Sequence, residues 1–156
     1  MDKTALAATL LAELRLRYDR AVAALSGARE AATGADTRAE NKYDTRGLEA
    51  SYLAAGQAGQ ADELLRAIHA VETFPFRDFD FDDPIDLGAL VETEQDGEPR
   101  HYLLAPAGGG ILLTTADGGE VTVLGPASPL AARLIGKSSG AILNEQEPEL
   151  LVLDLF

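Results

Sequence analysis

The chain has 156 residues, of which 46% are hydrophobic and 25% charged, with no cysteine and a net charge of −13. That length suits one globular domain plus an added element, and the composition is that of a folded chain. Without cysteine there is no disulfide framework, thiolate zinc site, iron–sulfur cluster or thiol nucleophile, and the two histidines, His69 and His101, are too few for a multi-histidine metal centre.

The charge is unevenly spread. Residues 1–73 carry 9 Lys/Arg against 11 Asp/Glu, whereas residues 74–156 carry 4 against 15. The second half repels phosphate backbones, so direct duplex DNA binding is not expected. Arg15, Arg17, Arg20 and Arg29 have acidic neighbours and read as a solvated helix face. No apolar run approaches ~18 residues and no signal-peptide pattern opens the chain, so a cytoplasmic protein with no membrane contact is expected.

In chain order, residues 3–33 contain no proline and are rich in Ala, Leu and Arg, which favour helix. Leu11, Leu14, Tyr18, Ala21, Leu25, Ala28 and Ala32 alternate three and four apart, a heptad seam that needs a partner helix. Gly34 is placed to stop this helix. A second helix is predicted from about Thr37 to Val71, with Ala61, Leu64, Ile68 and Val71 on its late seam and a poorer early seam of Tyr43, Gly47, Ala50, Ala54 and Gln57. Gly47, Gly56 and Gly59 each cost about 1 kcal/mol there relative to Ala. They predict either a weakened helix or close approach of the opposing one. Residues 1–73 thus read as an antiparallel coiled-coil hairpin projecting from the rest.

Residues 74–84 read as a linker, bracketed by Pro75 and Pro84, with phenylalanines alternating with acids. Asp78, Asp80 and Asp82 have the opening spacing of a calcium loop. Asp83 and Ala89 stand where that loop needs Gly and Glu, so calcium is not expected. From residue 85 to 156 short apolar runs alternate with turn residues. Strands are predicted over 87–92, 101–105, 111–115, 120–124 and 149–156. Turns are predicted at Gln95–Glu98, at Asp117–Gly119 and at the Gly108–Gly110 triplet, which lacks the Lys-Ser/Thr of a phosphate loop. One short helix has Ser128 as N-cap, Pro129 at its first position and Gly136 as its stop. The fold class is α+β.

The stretch Gly125-Pro126-Ala127-Ser128-Pro129-Leu130-Ala131-Ala132-Arg133-Leu134-Ile135-Gly136-Lys137 resembles the C-terminal domain of the bacterial Gre transcript-cleavage factors. The order of parts is similar too: a coiled-coil hairpin, a linker, then a compact FKBP-like domain. Ala28-Arg29-Glu30-Ala31, Glu40-Asn41 and Tyr43 look like that family's hairpin tip. The resemblance implies a factor that enters the secondary channel of RNA polymerase. It implies that Asp36 and Glu40 at the tip help hold a polymerase Mg²⁺ in the cleavage of backtracked RNA. The factor then assists a reaction rather than catalysing one alone and has no cofactor of its own. By the same resemblance Ser128, Pro129, Arg133 and Lys137 belong to the surface that docks on polymerase.

Other readings stand beside this one. Thr37-Arg38-Ala39-Glu40 is also a capping box, with Glu40 returning to the Thr37 amide and Asp36 favouring a helix N-terminus. Asp36 and Glu40 lie four apart where the family pattern has three, which suits a channel binder that does not cleave and competes with Gre factors. An Ala/Gly-rich second helix also suits a hairpin that dimerises or binds an unrelated protein. His69 and His101 read as packed or partly exposed side chains.

Overall fold

The computed structural model describes residues 1–33, 46–143 and 149–156. Two helices come first, α1 over Lys3–Thr33 and α2 over Arg46–Thr73. A six-stranded sheet follows: β1 Leu90–Gln95, β2 Glu98–Leu104, β3 Leu112–Thr114, β4 Glu120–Leu124, β5 Ile142–Leu143 and β6 Leu150–Leu155. The short helix α3, Pro129–Leu134, lies between β4 and β5. Two compact units result, residues 1–12 with 69–156, and residues 13–68. The first turns of α1 and the last turn of α2 share one unit and their middles share the other, so the helices run antiparallel as a hairpin.

In the helical unit the expected seam is the buried one. Leu14, Ala21 and Ala28 of α1 and Ala61 and Ile68 of α2 are buried. Tyr18, Leu25, Ala50, Ala54, Gln57 and Leu64 are half-buried between them. Arg17, Ala21 and Ala24 share a shallow groove with Gln57, Gln60 and Leu64, which places the two helices face to face. Arg17 Nε donates to Glu13 one turn earlier at 2.8 Å, as a solvated face allows.

Helix α2 runs unbroken through Gly47, Gly56 and Gly59. A Cβ added at Gly27, Gly56 or Gly59 would meet nothing within 4 Å. Gly56 and Gly59 therefore do not serve close approach of α1. Their cost is purely conformational. Gly27→Ala and Gly56→Ala are each expected to raise stability by about 0.5–1 kcal/mol. Thermal melts followed by circular dichroism check this, and a fall in midpoint would contradict it.

In the other unit the sheet order is β3-β4-β2-β1-β6-β5. All neighbouring pairs are antiparallel except β2 with β4, which is parallel. The β1–β2 ladder begins at Leu90 rather than residue 87, and extends to Gln95 and Glu98, beyond the predicted 92 and 101. The cause is the two-residue Asp96-Gly97 turn. Both residues have positive φ, 55° and 78°, which matches the strand twist and lets pairing run to the turn itself. Strand β5 has no counterpart among the predicted strands.

Strand alternation divides the side chains between two faces. Val91, Tyr102, Leu104, Leu124, Val152 and Leu155 join Ala131 and Leu134 of α3 and Phe79 of the linker in one core. Leu90, Leu103, Val121 and Val123 point the other way and are equally buried. At the edge, Leu10 of α1 packs on the Gly108 turn. A side chain begun at Gly108, where φ is 84°, would meet Leu10 Cδ1 at 2.8 Å. Asp2 opens α1 by accepting from the Ala5 amide at 3.1 Å.

Candidate functional site

Asp36 and Glu40, with Asn41 and Tyr43, lie outside the described residues. The four residues carried over as the docking surface all lie in or beside α3. Ser128 is the N-cap, with φ −69° and ψ 126°, and its hydroxyl accepts from the Ala131 amide. Its role is to hold the helix start. Pro129 occupies the first turn, where no amide is needed, and is exposed. Ala131 and Leu134 fix the helix on the sheet core. Gly136, at φ 81°, ends it.

The end of α3 is tied by backbone to Ile85, the residue that follows the linker. The Gly136 amide donates to the Ile85 carbonyl at 2.8 Å, and the Ile85 amide donates to the Lys137 carbonyl at 2.7 Å. The Lys137 side chain stays exposed. Arg133 is half-buried, and its Nε and Nη2 are buried with no hydrogen-bond partner among the described residues. Those two nitrogens form one edge of the guanidinium, the edge that grips a carboxylate with two parallel bonds. Sequence reasoning places Arg133 on the surface but gives no sign of this unmet edge. Beside the helix start, Gly109, Gly125, Pro126 and Ser128 line an apolar groove of about 520 Å³. Gly109 and Gly125 meet backbone to backbone there, since a Cβ on Gly109 would lie 2.9 Å from the Gly125 nitrogen. The Gly108–Gly110 triplet is thus a turn, closed by the Ile111 amide on the Gly108 carbonyl at 3.1 Å.

Three of the four linker phenylalanines are in contact with a ring or the core. Phe74 and Phe76 meet edge to face at 5.0 Å between ring centres. Phe79 enters the core, while Phe81 is exposed. Arg77 stacks 3.8 Å from the Phe79 ring and donates to Asp83 at 3.0 Å. That hydrogen bond, with a second from the Asp80 amide, holds the Asp83 carboxyl below its usual range. Lys3 lies 5.0 Å over the same ring and donates to the Arg77 carbonyl. Burial lowers its pKa, partly offset by Asp78. Among the described residues no group of three His, Asp or Glu could hold a metal ion. His101 Nε2 lies 3.9 Å from Glu92 across the β1–β2 ladder, and His69 is exposed. Among the described residues no helix is long and apolar enough to cross a membrane.

No family model matches the chain, and no curated protein matches it. Among solved structures it is similar to the GreA factor homolog 1 (Gfh1) protein of Thermus thermophilus, at 20% identity over 94% of each chain, with a TM-score of 0.37. It is similar to a second structure of the transcription factor Gfh1, at 20% identity over 94% of this chain and 93% of that one, TM-score 0.38. It is also similar to Thermus aquaticus Gfh1, at 17% identity over 92% and 91%, TM-score 0.36.

Proposed function

We propose that this chain is a Gre-like factor of RNA polymerase that acts through the secondary channel and promotes cleavage of backtracked RNA. One observation carries the reading. The Ser128–Lys137 stretch, which bears the resemblance, folds as a capped and stopped helix on a sheet core, in a chain that begins with an antiparallel helical hairpin. In this reading the hairpin enters the channel and brings Asp36 and Glu40 to the active site. Their carboxylate oxygens are the donors a hard Mg²⁺ takes, and the metal belongs to polymerase. The chain supplies ligands and position rather than a complete catalytic site.

Docking falls to the exposed Pro129 and Lys137, the apolar groove at the helix start, and Arg133. Ser128, also carried over by the resemblance, caps the helix that presents them. A second reading, a channel binder that does not cleave, is favoured by the four-residue spacing of Asp36 and Glu40. A catalytic metal site tolerates displacements of about 1 Å poorly.

One experiment separates them. The chain is mixed with stalled, backtracked polymerase complexes, and both binding and RNA shortening are measured. Asp36→Ala with Glu40→Ala is expected to abolish the stimulated cleavage and leave binding within about twofold, because α3 keeps its contacts. Binding without cleavage by the unaltered chain selects the second reading. Absence of binding overturns both.

A further inference from the structure

We draw no further inference here: the strongest candidate, the surface patch of exposed Ile142 and half-buried Leu151 at the β5–β6 edge of the sheet beside Glu94, Asp96 and Glu149, is an unpartnered face with an acidic rim, and nothing in the structure shows what covers it.

Discussion

Leu14→Asp is expected to melt the helices within residues 13–68 and leave the β sheet folded. Leu14 is 2% exposed and sits on the seam shared with Ala61, Leu64 and Ile68. A carboxylate there is buried in an apolar seam, and a buried charge without a partner costs several kcal/mol. The helical unit has little to set against that. Its seam is largely alanine, which buries less area than leucine and contributes less per residue. A two-helix unit with so thin a core is near its limit of stability, as small units are. Leu25 lies on the same seam but is only half-buried, so Leu25→Asp should cost less. Hydrogen exchange distinguishes local from global loss. Amides of residues 13–33 and 46–68 should lose protection, while those of β1, β2 and β6 keep it. Full helix content in the Leu14→Asp chain would remove the seam assignment. Loss of protection in both units would show that they unfold together.

The seam was open to sequence reading because helical burial repeats with a fixed period, and Leu14, Ala21, Ala28, Ala61 and Ile68 keep that period. The α3 helix was equally open, since Ser128, Pro129 and Gly136 each answer a local backbone requirement. What sequence reasoning misses is set by tertiary contact. Strand β5 is two residues long with Ile142 exposed, so its only signature is pairing with β6. The parallel pairing of β2 with β4 joins strands separated by β3 and leaves no periodic mark. Lys3 has the composition of a surface residue, yet its burial depends on a ring 76 positions later. Gly56 and Gly59 pose the opposite problem. In sequence their small size reads equally as a weakened helix or as close approach of the opposing one, and only the open space around each missing Cβ separates the two. The tip carboxylates Asp36 and Glu40 lie outside the described residues, so their assignment still rests on the resemblance alone.

Phe79→Ala is expected to cost about 3–5 kcal/mol, the usual result of emptying an aromatic site in a core. Phe79 is 7% exposed and packs with the core of the sheet. Its ring also receives Arg77 at 3.8 Å and Lys3 at 5.0 Å, so the one side chain joins the linker, the start of α1 and the sheet. Phe79→Leu keeps much of the apolar volume but offers no ring face to the cations, and about 1–2 kcal/mol is expected. Denaturant unfolding of the two variants separates packing from cation–ring attraction. A loss below about 1 kcal/mol for Phe79→Ala would mean the ring is not part of the core. The pH dependence gives a second readout. Burial lowers the pKa of Lys3 below its ordinary value of 10.5. Between the folded and unfolded values the unfolded chain binds more protons, so stability rises with pH there. The cost of keeping the charged amine buried is present below the folded pKa and fades as pH climbs toward 10.5. Phe79→Ala opens Lys3 to water, so its pKa should return upward and this alkaline rise should flatten. A variant that keeps the full rise would show that Lys3 is buried by other neighbours than Phe79.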